Sequence, residues 1–547
     1  MALALRLMRY AAAAAVLAAL FALPARAATT WHVDSASGND GNDCMSAATA
    51  CQTIQAAIDK ASAGDTIIVE VGTYPEPAVG PLTVNKKLTL QGAQAGVDGR
   101  TRSAAESVIT DSQGTSVSAS GVIIDGFTVQ GSTNPAFTGF GIDLSPGVSG
   151  TQILNNIIQD NIVGIGLANT GTLALIKHNL IQNNNQQPGI AASGTGIYTD
   201  QFVGGPNVAN VLITANKFSG NDDAGFDSSN TDFLTGGVSN VVITDNKFDS
   251  DGRSVVLFNT HGMTFDGNSV TNSTLTGSAA FRVFDNNTDL TVTNNDLITG
   301  VFHGIRISDP LGFPSSRVKI NENNIENFRS GDGLLVDMGS TTDTVDATCN
   351  WWNDASGPTN PTNPGGTGEK VEGDADFTPW LVAPAPSGAC HGGVPSTPGK
   401  VTGGGQVEGD PVFSALGALL SAPAVIPSAA GLPAQATFGF VVQCCPARGN
   451  LQYDDHTMGV TINAKSIDFL AISGSSGTSC PAVPGSQHAE FTGTATVKRS
   501  TGTATQPFTV DVDDCGEPGT MDTFKIQTTG YVNGGTLIGG NIQIHKS

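Results

Sequence analysis

Two short hydrophobic patterns alternate along the chain between about residues 120 and 340. The first is an aliphatic pair followed by Asn, any residue and an apolar residue, and its asparagines are Asn156, Asn179, Asn216, Asn246, Asn268, Asn295 and Asn323. They are separated by 23, 37, 30, 22, 27 and 28 residues, which is the length of one turn of a solenoid. The pattern therefore predicts a repeat array.

The second pattern is a small residue followed by an apolar, a variable and an apolar residue. It starts at Gly141, Gly164, Gly196, Gly225, Ser254, Ala280, Gly304 and Gly333. Alternation with period two predicts short strands with one face inward, and two or three strands per turn wind the chain around a core. Each asparagine is expected to bond its counterpart one coil along, forming an amide ladder.

Together these residues resemble the right-handed parallel β-helix (pectin-lyase-like) superfamily, over roughly Trp31 to Leu381. The resemblance implies an all-β solenoid. Ile54 and Ile58, four residues apart within 52–62 and followed by Gly64, predict a short amphipathic helix that caps the N-terminal end. The segments around Trp31 and 349–380 resemble the entry and exit of bacterial secreted β-helices.

Residues 383–399 form a Pro/Gly/Ser-rich linker that separates the predicted β-helix, 28–382, from a C-terminal module, 400–547. The module alternates apolar and polar residues between frequent glycine turns, which predicts a small antiparallel β-sandwich or barrel. Its first and last residues, GKVTGGG and GGNIQIHK, resemble the post-COAP module of bacterial exported proteins.

The first 27 residues carry Arg6 and Arg9, an apolar run and the sequence Ala-Arg-Ala, which predicts a cleaved secretory signal peptide. The apolar run is shorter than the roughly 20 residues that span a bilayer. We therefore expect a secreted protein without a membrane span, in the extracellular space, at the cell surface or in the periplasm.

Eight cysteines in an exported chain can form four disulfides. Spacing suggests Cys44 with Cys51 and Cys349 with Cys390, and leaves open the connectivity of two bridges among Cys444, Cys445, Cys480 and Cys515. A zinc site is the alternative, although the chain has no Cys-x-x-Cys motif.

The composition limits the classes of protein and of binding partner that fit this chain. The 547 residues are 39% hydrophobic and 13% charged, with a net charge of −23, which argues against a disordered chain, a membrane bundle and a nucleic-acid binder. Removing the predicted signal takes away three arginines, leaving 22 basic and 48 acidic residues, or −26. The expected partner is a polysaccharide or cell-surface glycan, and we expect a monomer.

Candidate chemistry lies on the outward faces of the predicted strands, where equivalent residues of successive coils line up. Two positions after each small residue stand Asp143, Gly166, Tyr198, Asp227, Val256, Arg282, Arg306 and Leu335. One position before it stand Phe140, Val163, Thr195, Ala224, Arg253, Ala279, His303 and Asp332. Both series become cationic towards the C-terminal coils.

The segment Phe302–Ile307 resembles the G-H-G-I-x-I phrase of polygalacturonases, which implies His303 as a catalytic residue. Asp332, one coil onward, is positioned to orient its imidazole. Ala279 stands where a carboxylate would be needed, so only one carboxylate is well placed for inverting hydrolysis.

A lyase needs a base and a cation that holds a uronate carboxylate. In this hypothesis His303, Asp332 and Arg306 are catalytic, and Arg282, Arg253, Tyr198 and Asp227 bind substrate. Alternatively, Asp285, Asp309 and Asp332 simply neutralise the arginines.

Asp222, Asp223, Asp227 and Asp232 are a candidate calcium site, with solvated turn acids as the alternative. No other cofactor is expected. Two functions follow. The first is an exported β-helix protein that engages polysaccharide along its outward face, with lyase or glycoside hydrolase activity as its catalytic form. The second is a non-catalytic structural or adhesive protein of the cell surface or extracellular space.

Overall fold

The computed structural model describes residues 28–546 apart from 76–79, 135–138, 187–191, 329, 387, 389, 393–396, 409–434, 457, 474–479, 481–484, 500–501, 520 and 529–530. The predicted signal peptide lies outside the described residues. The fold is an all-β solenoid followed by a barrel, which confirms the predicted fold class.

Three parallel sheets form the solenoid, and each coil contributes one strand to each sheet over most of its length. The 14-stranded sheet contains Thr30–Val33, Thr66–Val69, Thr89–Gln91, Ile123–Asp125, Gln152–Leu154, Ala174–Lys177, Asn207–Thr214, Gly237–Thr244, Thr260–His261, Thr264–Asp266, Thr291–Thr293, Lys319–Asn321, Val345–Asp346 and Ala375–Asp376. The 10-stranded sheet contains Gly72–Tyr74, Ser107–Thr110, Thr128–Gln130, Ile157–Gln159, Leu180–Gln182, Lys217–Ser219, Lys247–Asp249, Ser269–Ser273, Asp296–Gly300 and Asn324–Phe328.

The 12-stranded sheet, which carries the predicted site, is built from the second sequence pattern. Its strands are Leu82–Val84, Thr115–Val117, Phe140–Leu144, Val163–Gly166, Thr195–Thr199, Ala224–Ser229, Arg253–Phe258, Ala279–Val283, His303–Ile307, Leu334–Val336, Pro358–Thr359 and Gly368–Glu372.

The predicted amide ladder is confirmed inside the solenoid. From Asn156 to Asn350, the Nδ2 of each asparagine donates to the Oδ1 of the next, at 2.9 to 3.2 Å. The same amides also bond strand carbonyls, so these buried polar groups are satisfied without charge. Beside them, the rings of Phe218 and Phe248 stack with centroids 4.5 Å apart.

A second, shorter ladder ends in a carboxyl group. Asn161, Asn184 and Asn221 bond in series, and the Nδ2 of Asn221 donates to Oδ1 of Asp251 at 2.7 Å. The other oxygen, Oδ2, is buried without a hydrogen-bond partner among the described residues. Burial raises the pKa of Asp251 to about 7.

Both ends of the solenoid are closed. The helix Ile54–Lys60, capped by Thr53, buries Ile54 and Ile58 against the first coils, as predicted, and the 3-10 turn Ala47–Thr49 precedes it. At the other end Trp352 and Trp380 are buried, and Trp380–Leu381 pairs with Cys390–Gly392.

The C-terminal module is a closed antiparallel barrel. Its strands are Gly399–Glu408, Gln435–Cys444, Arg448–Asp455, Val460–Ser473, Gln487–Arg499, Gly502–Asp514, Thr523–Thr528 and Tyr531–Lys546. A separate core that includes Phe440, Phe491 and Phe524 fills it. Its identity with the post-COAP module stays a prediction.

All eight cysteines are paired. Cys44–Cys51 and Cys349–Cys390 confirm the predicted pairs, and the remaining bridges join Cys444 to Cys445 and Cys480 to Cys515. The zinc alternative is therefore wrong for these cysteines. Four disulfides and this fold suggest an oxidising, extracytoplasmic compartment. In the part of the chain that the structure describes, no helix has the length and apolarity to cross a membrane.

Candidate functional site

The predicted outward series lie on the 12-stranded sheet in the predicted order. Strand register aligns Asp143, Gly166, Tyr198, Asp227, Val256, Arg282, Arg306 and Leu335, which we call the outer row. The residues that stand one position before each small residue are aligned in the same way. Register pairs Phe140, Val163, Thr195, Ala224 and Arg253 in succession, and separately pairs Ala279 with His303. The seven predicted site residues fall into two clusters, one on each side of Val256.

An apolar rim borders the outer row. Apolar residues stand near the ends of six successive strands of the sheet, at the last strand residue or up to six residues beyond it: Phe202, Leu234, Phe258, Phe284, Phe313 and Met338. Phe202 is 79% exposed, Leu234 89% and Met338 fully exposed. The rings of Phe258 and Phe284 stack at 4.3 Å between centroids. The rim therefore presents exposed hydrophobic side chains at both of its ends, while Phe258 and Phe284 are half-buried in its middle.

The acidic cluster, formed by Tyr198, Asp200, Asp223, Asp227 and Arg253, occupies the N-terminal part of the outer row. Tyr198 and Asp227 are cross-strand partners, and the Tyr198 hydroxyl donates to Oδ2 of Asp200 at 3.0 Å. The Arg253 guanidinium forms an ion pair with Asp223. Three predicted substrate-binding residues, Arg253, Tyr198 and Asp227, thus lie together.

Asp227 is the most perturbed carboxyl group of this cluster. Its side chain is buried and accepts a hydrogen bond from the Ser229 hydroxyl at 2.6 Å. Burial, reinforced by the negative charge of Asp223, raises the pKa of Asp227 to about 7, despite the opposing effects of Ser229 and Arg253. Burial also raises the pKa of Asp143, farther along the row, to about 6. The acidic cluster therefore keeps a proton on Asp227 up to near-neutral pH.

The cationic cluster, formed by Arg282, His303, Arg306, Asp332, Asp337 and Lys370, occupies the C-terminal part. The backbone N–H of Asp332 donates to Nδ1 of His303 at 2.9 Å, so this nitrogen is an acceptor and the neutral ring carries its proton on Nε2. Burial lowers the pKa of His303, with the nearby Arg306 and Arg282 adding to the shift and Asp332 opposing it. The imidazole is thus neutral, and its Nε2–H is a hydrogen-bond donor.

The charged neighbours of His303 are paired with one another. Lys370 Nζ lies 3.1 Å from Oδ1 of Asp332, whose Oδ2 is 3.4 Å from His303 Nδ1. Arg306 donates to both oxygens of Asp337, with the shorter contact at 2.8 Å. The structure therefore places the predicted catalytic residues together and also pairs Arg306 and Asp332 with groups of opposite charge.

Arg282 is buried, and no carboxylate among the described residues forms an ion pair with it. Its guanidinium donates to the Ser308 hydroxyl at 2.7 Å and to the carbonyl of Arg306 at 3.2 Å, and it lies over the ring of Phe284 at 4.1 Å. Burial and the neighbouring Arg306 lower the pKa of Arg282 to about 10. Its hydrogen bonds and ring contact hold it in one position.

The predicted counter-ions were wrong in their identity. Asp337 pairs with Arg306, and Asp285 instead accepts the backbone N–H groups of Leu311 and Phe313. Apart from Lys370, the residues that contact the predicted site residues, and that the sequence analysis did not name, share one feature. They all stand four residues after the small residue of the second pattern: Asp200, Ser229, Phe284, Ser308 and Asp337. Period two puts that position on the same face as the outer row, so the pattern contained the signal. Lys370 follows a long insertion and no pattern indicates it.

The predicted calcium ligands are not gathered. Asp223 pairs with Arg253, whereas Asp232 accepts hydrogen bonds within its own turn from Thr235. Within the described ranges, no group of three or more His, Cys, Asp or Glu side chains is arranged to hold a metal ion.

Comparison with solved structures finds similar proteins at low sequence identity, among them a pectate lyase and a tailspike protein. The crystal structure of pectate lyase Pel9A matches with a TM-score of 0.36 and 14% identity, covering 65% of this chain and 80% of that one. The Agl-KA catalytic domain matches with a TM-score of 0.38 and 14% identity, and the match covers 59% of this chain and 64% of that one. The tailspike gp49 of Acinetobacter baumannii bacteriophage Fri1, a capsular polysaccharide depolymerase, matches at 0.31 and 11%, covering 88% and 79%. The chain matches no family model and no curated protein.

Proposed function

We propose that this protein is an extracytoplasmic polysaccharide-binding protein that holds a glycan chain along the outer face of the 12-stranded sheet. The observation that carries the proposal is the apolar rim beside the polar outer row. Sugar rings have apolar C–H faces and polar hydroxyl edges, so a rim that exposes Phe202 and Phe313 next to polar groups complements them.

The length of the rim suits an extended polymer. From Phe202 to Met338 it accompanies successive parallel strands, and five steps of about 4.8 Å amount to roughly 24 Å. A polypeptide could instead add to a free sheet edge, but these strands are paired on both sides by the coils before and after them. Side-chain recognition of a glycan is therefore the better fit.

Binding is tested with the mature protein and a panel of uronate and neutral polysaccharides, by calorimetry. Removing an exposed ring should cost about 1 to 2 kcal/mol, so we expect roughly tenfold weaker binding for Phe202→Ala and for Phe313→Ala. Val71→Ala, which removes apolar surface from an exposed site away from the rim, is the matched control. Absence of binding across the panel, or equal losses in the control, would refute the proposal.

Hydrolysis is the second candidate function, and the protonation of Asp227 favours it. A carboxylic acid beside the Arg253-paired carboxylate of Asp223 is the combination that general acid–base cleavage of a glycosidic bond uses. In this proposal Asp227 donates the proton to the leaving oxygen. Tyr198 and Arg253 then act as substrate-binding residues.

Lyase chemistry at His303 stays a prediction, and it requires two changes in the hydrogen bonding of the cationic cluster. To act as a base through Nε2, His303 would have to carry its proton on Nδ1, which then faces Asp332 Oδ2 at 3.4 Å and gives up the bond from the Asp332 N–H. Arg306 would also have to leave Asp337 in order to grip a uronate.

The two catalytic hypotheses differ in their products. Hydrolysis releases reducing ends, and we expect Asp227→Asn to lower that rate at least about 100-fold while His303→Gln leaves it unchanged. Elimination produces unsaturated uronates that absorb ultraviolet light, and His303→Gln should then be the inactive variant. Binding without either product would favour the non-catalytic, adhesive function.

A further inference from the structure

An open cavity of about 290 Å³ lies at one end of the C-terminal barrel. It shares no residue with the acidic or the cationic cluster of the outer row. Gly399, Lys400, Gln443, Cys444, His545 and Lys546 line it. This volume is at the lower limit for small-ligand sites, about 300 Å³, and suits one small ring more than a long ligand.

Strand register builds a cationic row across the cavity. Lys400 pairs with His545 on one side and with Gln443 on the other, and Gln443 pairs with Arg448. Neighbouring residues such as Val401, Val442 and Ile544 are buried in the barrel core, so the alternation of the strands directs this row outward.

The charges of this row lack carboxylate partners. Among the described residues, no Asp or Glu forms an ion pair with Lys400, Arg448 or Lys546, whereas Arg100, Arg102, Arg253, Arg306 and Arg317 of the solenoid are all paired. Lys400, Arg448 and Lys546 thus form a local concentration of positive charge in a chain of net charge −23.

Arg448 is held in place by a neutral group. With the amide oriented by its neighbours, Oε1 of Gln443 accepts from Nε and Nη2 of Arg448, both at 2.7 Å. Gly399 lines the cavity without a side chain. A Cβ at this position would lie only 2.4 Å from Cδ1 of Ile472. Cys444, which is bonded to Cys445, also lines the cavity.

We propose that this cavity binds the oxyanion of a single acidic sugar unit, a carboxylate or a sulfate, and that the barrel is a carbohydrate-binding module for an acidic polysaccharide. Lys400 and Lys546 supply the charge, and the guanidinium of Arg448 at its edge supplies paired donors. The only basic side chains that line the cavity are two lysines and a histidine, which suits a single oxyanion better than the dense charge of a nucleic acid or an anionic membrane. The choice of a glycan rests on the proposed function, although the site itself is separate from the outer row.

The test uses the full mature protein with three probes: oligogalacturonate, a sulfated dextran and neutral dextran. Lys400→Gln with Lys546→Gln removes two charges from the cavity, and Lys465→Gln with Lys498→Gln removes the same charge from other strands of the barrel. We expect the first pair to weaken binding of at least one anionic probe tenfold or more, and the second pair to change it less than twofold. The ratio between the two anionic probes identifies the carboxylate or sulfate source.

Two results would overturn the inference: an equal loss in both double variants, which indicates non-specific attraction, or no loss in either. Phe202→Ala with Phe313→Ala separates this site from the rim. If the rim variant binds like the unmodified protein while the cavity variant does not, the proposed function fails and the barrel site stands. The reverse pattern supports the outer face alone and overturns the barrel site.

Discussion

The acidic and cationic clusters lie on the same sheet and use the same positions of the same repeat, yet their acidic groups differ in how they are neutralised. In the cationic cluster Arg306 and Asp337, and Lys370 and Asp332, neutralise each other. In the acidic cluster Asp227 is buried beside Asp223 and keeps its proton up to a pKa of about 7. The exposed charges of the cationic cluster are therefore neutralised by partners, whereas the buried acid of the acidic cluster is neutralised by retaining its proton.

The clusters also respond differently to pH. A carboxyl group whose pKa rises on folding destabilises the protein as pH increases from its unfolded pKa to its folded pKa, because only the unfolded chain loses the proton in that range. A histidine whose pKa falls on folding destabilises the protein as pH decreases below its unfolded pKa. Stability should thus fall on the alkaline side because of Asp227 and on the acid side because of His303.

The largest change in the free energy of unfolding is expected at Asp251, the buried acid that ends the second, shorter ladder. Asp251 lies in neither cluster, so its substitution shows the effect of a buried acid on stability alone. Asp251→Asn removes a group whose pKa rises from 3.8 to about 7, and it completes the amide ladder. Above pH 8 the free energy of unfolding should increase by up to about 4 kcal/mol, with little change near pH 4. Urea titrations at both pH values measure this, and glycan binding should be unchanged. A pH-independent effect would contradict the assignment.

Asp227→Asn should also stabilise the protein at pH 8, by about 2 kcal/mol, because the amide avoids ionisation but leaves a new donor to satisfy. Unlike Asp251→Asn, it should impair function, as expected where a strained group is kept for its chemistry. Asp222→Asn, at an exposed neighbour, is the control for both stability and activity. Stabilisation with full hydrolytic activity would assign Asp227 a structural role only.

Arg306→Gln probes the cationic cluster. Both partners are about 29% exposed, so losing the Arg306–Asp337 pair should cost only about 1 kcal/mol. The cost should shrink in 1 M salt, which screens the unmodified pair. Unfolding titrations at low and high salt provide the comparison. A salt-independent loss larger than 3 kcal/mol would show that the guanidinium is buried more deeply than its exposure indicates.

The smallest effect is expected for His303→Asn. Because burial lowers the pKa of His303, the unmodified protein should lose stability as pH falls below about 6.5, and the variant should lose less. Melting temperatures between pH 8 and pH 5 measure the difference in slope. Steeper acid destabilisation in the variant would mean that His303 is protonated in the fold.

The repeat patterns predicted much of the fold and the order of the outer row, because strand length and inward alternation are local properties. They did not predict which acid meets which base. Asp337 reaches Arg306 from the next coil, and Lys370 arrives from beyond an insertion, so their pairing depends on how coils stack. The bridges of the barrel are a similar case, since spacing left the partners of Cys444 open.

By itself the sequence determined the solenoid, its capping helix, the amide ladder and the all-β C-terminal module, since each follows from apolar spacing and turn residues. Only the tertiary structure decided the protonation of Asp227, the acceptor role of His303 Nδ1, the apolar rim and the unpaired cations at the barrel end. Those properties depend on burial and on distances between coils, and neither is encoded in the period of the repeat.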